Sequence, residues 1–164
     1  GTINKSLSGN IPKMTDSGCQ WLWQTGKLYY EDVKALTDIT AGRNISVFDF
    51  INRMDYAFAA ADIIVSRAGA GTISELCLAG KPVILVPSPN VAEDHQTRNA
   101  GALVRNNAAV MIPDSESVDV LVDEALKLVA DKEKRNTLSL NIKAMADREA
   151  DLRIAAEIMK LAGK

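Results

Sequence analysis

Two stretches of the 164-residue chain carry side chains whose types and spacing suit binding chemistry. In the first, Gly69-Ala70-Gly71-Thr72-Ile73-Ser74-Glu75, small residues stand directly before a predicted helix over Thr72–Ala79. A helix start offers backbone N–H groups with no intrahelical acceptor, and small residues leave the approach to them open. Together these make an anion site, most often for a diphosphate. Glu75 would repel phosphate but accepts hydrogen bonds from neutral hydroxyls such as those of a ribose. A purely structural reading stays open. Thr72 and Glu75 are three residues apart, the spacing of a capping box, and Gly69 and Gly71 then serve only as a flexible turn.

The second stretch is Glu93-Asp94-His95-Gln96-Thr97-Arg98-Asn99, within a predicted loop over Pro87–Asp94 and a helix over His95–Arg105. Gln96 and Asn99 fall on one helical face, and amides carrying both donor and acceptor suit sugar hydroxyls. His95, the only histidine, reads equally as a helix-start residue facing water, and Asp94 as a helix cap. Arg67 can balance a phosphate or join an ordinary ion pair. No GxSxG, HExxH or GxxxxGK[ST] occurs, which removes the hydrolase elbow, the zincin and the P-loop. No Asp-x-Asp pair is present to grip a metal-bound diphosphate, and no metal or cofactor is expected. A dinucleotide dehydrogenase is disfavoured because no G-x-G-x-x-G follows a strand.

The elements that would position these residues follow from periodicity. Five short runs read as strands: Gln20–Thr25, Ile45–Phe50, Asp62–Ser66, Pro82–Val86 and Ala108–Ile112. The runs Ile-Ile-Val and Val-Ile-Leu-Val are apolar on both faces, as in the middle of a covered parallel sheet. Trp21 and Trp23 share one sheet face and are expected in the core. Helix spacing is read over Tyr30–Thr37, Arg53–Ala61, Ser117–Val129, Lys132–Ala146 and Arg148–Leu161, besides the two helices above. Alternating strand and helix implies an α/β fold, a Rossmann-like parallel sheet with helices on both faces. Ligands of such sheets sit beyond the carboxyl ends of the strands, where both candidate stretches fall. Gly1-Thr2-Ile3-Asn4 reads as the first turn of a helix. The first strand and glycine-rich turn of the sheet are therefore expected to lie outside this chain.

Composition bounds the classes. The length suits one domain, large enough to need no disulfide staples. A formal charge of −2 lacks the basic excess of a dedicated nucleic-acid binder. Cys19 and Cys77 form no CxxC and read as reduced packing residues. No apolar run approaches the ~18 residues of a membrane span.

The run from Ala61 to Pro87, with Glu93–Ala100 behind it, resembles the bacterial MurG family, and WQTGKLYY and FINRMDYAFAAAD are similar to that family's segments. The likeness extends from about Gly1 to the C-terminus and is most specific between Ile51 and Asn99. It implies the C-terminal half of a GT-B glycosyltransferase, with residues 1–164 a UDP-sugar-binding domain, a fragment of a two-domain enzyme. The family moves N-acetylglucosamine from UDP-GlcNAc to lipid I, an undecaprenyl-pyrophosphoryl-muramoyl-pentapeptide, making lipid II of peptidoglycan. The resemblance implies that the Ile51 main chain pairs with uracil. It sets Thr72 near the nucleotide, Glu75 on the ribose, and Gly69, Ala70 and Gly71 against the sugar diphosphate. Gln96, with His95 and Asn99, falls where the family holds GlcNAc hydroxyls, although some members carry glutamine at the His95 position. The general base and the lipid-linked acceptor site are implied in the absent half, so no catalytic residue is expected here and the fragment alone should be inactive. The resemblance also implies a cytoplasmic enzyme, peripheral at the inner face of the bacterial plasma membrane, with membrane contact only through the full-length protein and no nucleic-acid partner. Three other readings fit the same residues: the donor subunit of a dolichol-pathway GlcNAc transferase, a GT-B glycolipid synthase, and a nucleotide-binding module without catalysis.

Overall fold

A computed structural model describes residues 1–40, 44–90 and 94–163. The chain runs α1 (Thr2–Gly9), α2 (Ile11–Asp16), β1 (Trp21–Gln24), α3 (Lys27–Ile39), β2 (Ile45–Phe48), α4 (Met54–Ala60) and β3 (Ile64–Ser66). It continues α5 (Ala70–Ala79), β4 (Val83–Leu85), α6 (His95–Arg105), β5 (Val110–Met111), α7 (Asp114–Ala130), α8 (Lys132–Ala144) and α9 (Ala150–Leu161). Every predicted strand run contains an observed strand, each shorter than predicted at one or both ends. The helix read over Tyr30–Thr37 extends further in both directions, and α2, opened by Pro12 in its first turn, was not foreseen.

All strand pairs are parallel. β1 pairs with β2, Trp21 opposite Ile45, and β3-β4-β5 form a second ladder with Ile64 opposite Val83 and Ile84 opposite Val110. Alternation along β4 sends Val83 and Leu85 into one core layer with Leu76 and Cys77 of α5, Ala100 and Leu103 of α6, and Ile142 of α8. Ile84 points the other way, joining Val86, Ile112 and the α7 stripe Leu121, Ala125 and Leu128. Helices therefore cover both faces, as expected of a Rossmann-like sheet.

Among the described residues the sheet is interrupted between β1 and β3. The order β2-β1, then β3-β4-β5, is the doubly wound order without its first lane. This corrects the reading of Ile63–Val65 as a fully buried strand. All three β3 residues are only half-buried, whereas β4 is buried throughout, because β3 has a strand on one edge only. The two halves still share packing: Trp21 of β1 and Val65 of β3 lie against the same buried cluster. Trp23 is in the core as expected, whereas Trp21 is only half-buried.

The local signals agree with the fold. Asp114 and Glu116 in the first turn of α7 and Lys127 in its last turn complement the helix dipole. The Asp131 side chain accepts from the Lys134 N–H at 2.9 Å and caps α8. Gly80 ends α5 at φ 63°, and a Cβ there would meet the Lys143 side chain at 3.3 Å, so both backbone and space ask for glycine. In α9, Leu152, Ile154, Ile158, Met159 and Leu161 are all exposed, an apolar helix with no cover within the described chain. In a proven monomer, fast amide exchange along α9 against slow exchange in α7 is the expected result; uniform strong protection would contradict this exposure.

Candidate functional site

β3 ends at Ser66 and α5 starts four residues later, so the tight connection Arg67-Ala68-Gly69 delivers the helix start to the carboxyl rim of the sheet. Gly69 is the N-cap; its carbonyl accepts from the Ile73 N–H at 2.9 Å, and no side chain caps the helix. This overturns the capping-box reading. The helix begins two residues before Thr72, which puts Thr72 third in the helix and Glu75 in the second turn. Neither reaches the orphan amides. Those of Ala70, Gly71 and Thr72 have no hydrogen-bond partner among the described residues, and the first turn holds no acid. Glu75 is exposed.

Gly69 and Gly71 do not adopt positive φ. A turn that only glycine can make is therefore not their reason. A Cβ on Gly71 would meet nothing within 4 Å, and one on Gly69 only the Thr72 hydroxyl at 3.8 Å. The small side chains leave space on the side facing solvent. Gly71→Ala is expected to raise stability by about 0.5–1 kcal/mol, from helix propensity and lower unfolded-state entropy, while weakening nucleotide binding. Urea unfolding and a UDP titration of the same variant check both halves.

α6 approaches the same turn from the other side. Asp94 precedes it at φ 53° and makes no side-chain cap hydrogen bond, so the capping role expected of Asp94 is not observed. Glu93 lies outside the described residues. Gln96 Oε1 accepts from the Ala68 N–H at 3.2 Å and the Ser88 N–H at 2.9 Å. Asn99 Nδ2 donates to the Ala68 carbonyl at 3.0 Å. One turn of α6 thus clamps both main-chain groups of Ala68 and ties the β3 and β4 loops together. The polarity follows: Gln96 has its Nε2 donors left and Asn99 its Oδ1 acceptor, a donor and an acceptor side by side. His95 is exposed at the first position of α6.

Arg67 forms an ion pair and two loop hydrogen bonds through one guanidinium nitrogen. Its Nη1 donates to the Val86 carbonyl at 3.0 Å and the Pro87 carbonyl at 3.3 Å, and pairs with Asp114. Asp114 also accepts from the Thr2 hydroxyl at 2.9 Å. Burial alone would raise the Asp114 carboxyl; the hydrogen bonds from Arg67 and Thr2 and the nearby positive charge outweigh it and hold the pKa below the ordinary carboxylate range. The group is a strut joining the ends of β3 and β4 to α7.

Ile51 sits apart from this cluster, beyond the end of β2 in the other ladder. Its N–H donates to Gln24 Oε1 at 2.8 Å. Gln24 ends β1 and was not singled out in the sequence, where the only signal was a polar residue at the carboxyl end of an apolar strand. A cleft of about 510 Å³ opens there, lined by Gln24, Gly26, Lys27, Asp49, Phe50 and Asn52. Another cavity, about 480 Å³ between α1 and α3, holds none of the residues chosen from the sequence. Among the described residues no three His, Cys, Asp or Glu side chains are grouped to hold a metal. Cys19 and Cys77 are free thiols, and burial pushes the Cys77 thiol up. No helix is long and apolar enough to cross a membrane among the described residues.

Residues 2–154 match the glycosyltransferase family 28 C-terminal domain. The chain is 53% identical over 163 residues to a Parabacteroides distasonis protein named UDP-N-acetylglucosamine--N-acetylmuramyl-(pentapeptide) pyrophosphoryl-undecaprenol N-acetylglucosamine transferase, covering 99% of this chain and 44% of that protein. A Porphyromonas gingivalis protein of the same name is 52% identical over 160 residues, covering 98% of this chain and 42% of that protein. The crystal structure of Acinetobacter baumannii MurG superposes with a TM-score of 0.80 at 27% identity, over 95% of this chain and 46% of that one. The chain spans less than half the length of these relatives. An α/β sheet with both faces covered, small residues opening the α5 start, and this likeness along nearly the whole sequence agree: the chain belongs to the glycosyltransferase family 28 C-terminal domain family.

Proposed function

We propose that residues 1–164 are the UDP-sugar-binding domain of a two-domain, inverting N-acetylglucosaminyltransferase that moves GlcNAc from UDP-GlcNAc to lipid I, making lipid II at the inner face of the bacterial plasma membrane. The observation that carries this reading is the open α5 start flanked by the Gln96–Asn99 clamp. The free amides of Ala70, Gly71 and Thr72 suit the diphosphate, where they favour the charge that develops on the UDP leaving group. Gln96 Nε2 and Asn99 Oδ1, with His95 beside them, suit the GlcNAc hydroxyls. Glu75, one turn along α5, suits the ribose hydroxyls, and the Ile51 main chain the uracil. The general base that deprotonates the acceptor hydroxyl, and the groove that holds the lipid-linked acceptor, belong to the other half. Membrane contact follows from the full-length enzyme.

Titration of the chain with UDP, ADP and CDP by calorimetry or NMR tests this. UDP and UDP-GlcNAc are expected to bind more tightly than ADP or CDP; equal affinities would remove the uridine assignment. The purified chain is also expected to transfer no sugar to a lipid-linked acceptor. Turnover above background would place the catalytic machinery within these residues.

A further inference from the structure

The turn Arg67-Ala68-Gly69 carries the α5 start, and it is gripped from more than one side. Gln96 and Asn99 of α6 hold Ala68. Asp114, the first residue of α7, holds Arg67. Asp114 spends its two oxygens on two elements. Oδ1 accepts from Arg67 Nη1, and Oδ2 accepts at 2.9 Å from the hydroxyl of Thr2, the first residue of α1. The low pKa keeps this carboxylate ionised at neutral pH, so both oxygens act as acceptors.

These contacts gain weight from where the elements are rooted. α1 is buried through Leu7 beside Trp23 and Ile45, on the side of β1 and β2. α5 is buried through Leu76 and Cys77 beside Val83 and Leu85, on the side of β4. Among the described residues no strand pairing joins the two ladders. α7 reaches both: Val122 packs with Trp23 and Ile45, and Leu121 and Leu128 pack with Ile84 of β4. Asp114 therefore stands at the end of a helix packed against both ladders, with one oxygen on each. We infer that Asp114 is a positioning residue for the diphosphate end of the site: through Arg67 it fixes the turn that presents the free α5 amides, and Thr2 steadies its carboxylate from the other ladder. The inference rests on the proposed diphosphate site at α5. N–H groups that already point at an anion bind it without first being ordered. Uridine, which lacks the diphosphate, makes no use of that turn.

The test compares UDP with uridine in the wild-type chain and in Asp114→Asn, Thr2→Val and Thr2→Ser. Asparagine has one acceptor oxygen and cannot hold Arg67 and Thr2 as the carboxylate does. Valine keeps the shape of threonine without the hydroxyl, and serine keeps the hydroxyl. General loosening weakens both ligands, so the readout is the UDP:uridine affinity ratio. The ratio is expected to fall roughly fivefold in Asp114→Asn and about threefold in Thr2→Val, and to stay near the wild-type value in Thr2→Ser. Removing a negative charge would by itself favour the anionic ligand, so a fall in Asp114→Asn runs against simple charge attraction. Thr2→Val changes no charge and carries the test alone if Asp114→Asn does not fold. A wild-type chain that binds UDP no better than uridine would overturn the diphosphate reading and this inference together. A wild-type preference for UDP that the folded Asp114→Asn and Thr2→Val variants keep in full, or that rises in them, would overturn the role of Asp114 and leave the α5 site standing.

Discussion

Arg67→Met is expected to destabilise the chain by about 2–3 kcal/mol, a drop of roughly 5–10 °C in Tm for a domain of this size. The Arg67 guanidinium bonds two loop carbonyls at the end of β4 and the Asp114 carboxylate at the start of α7. The side chains are 31% and 18% exposed, so the pair is partly screened, and the estimate lies below the 3–5 kcal/mol of a fully buried pair. Methionine keeps the apolar stem but leaves Asp114 and the carbonyls of Val86 and Pro87 short of a donor. The pH dependence has a definite sign. The Asp114 pKa is depressed in the folded chain, so its contribution is fully present above the unfolded value near 3.8 and is lost as pH falls through the folded value. Urea midpoints measured from neutral pH to below pH 4 should fall more steeply at the acid end for wild type than for Arg67→Met. Parallel curves would show that Arg67 does not hold the Asp114 proton affinity down.

Glu75→Ala should separate binding from stability. Glu75 is exposed, makes no cap and stands in the second turn of α5, so stability is expected to change by less than about 0.5 kcal/mol. If it holds the ribose, loss of a charge-assisted hydrogen bond weakens UDP by roughly 1.5–3 kcal/mol, tenfold or more. The control is 2′,3′-dideoxy-UDP, which lacks the hydroxyls. Wild type is expected to favour UDP strongly over this analogue, and Glu75→Ala to bind the two almost equally. A variant that keeps the wild-type margin would remove Glu75 from the ribose and leave it a solvated helix side chain.

The elements were legible in the sequence because their signals are local. Ile-Ile-Val and Val-Ile-Leu-Val mark strands by apolar continuity, and the α7 stripe marks a helix by its period. The rim position of Gly69–Gly71 and of the loop before α6 followed from their places after strands. The sequence also chose Gln96 and Asn99 as a pair, since residues three apart on a helix share a face.

What the sequence could not decide was where each polar group finds its partner. Thr72 and Glu75 match a capping box in spacing, yet Gly69 starts α5 earlier, because the main chain leaving β3 already has a cap-like conformation there (φ −66°, ψ 146°). Gln96 accepts through Oε1 from Ala68 and Ser88, and Asn99 donates through Nδ2 to Ala68, 31 residues away, and these bonds set which side chain keeps its donors and which its acceptor. The ion pair of Arg67 could not be read along the chain, since α7 brings Asp114 to it across 47 residues. Gln24 carried no signal in β1 beyond its polarity; only the parallel pairing of β1 with β2 brings it to the Ile51 N–H. Periodicity and turn chemistry act within a few residues and are written along the chain. Hydrogen-bond partnership at a sheet rim joins residues that only tertiary packing makes neighbours, and so the polarity of this site belongs to the fold.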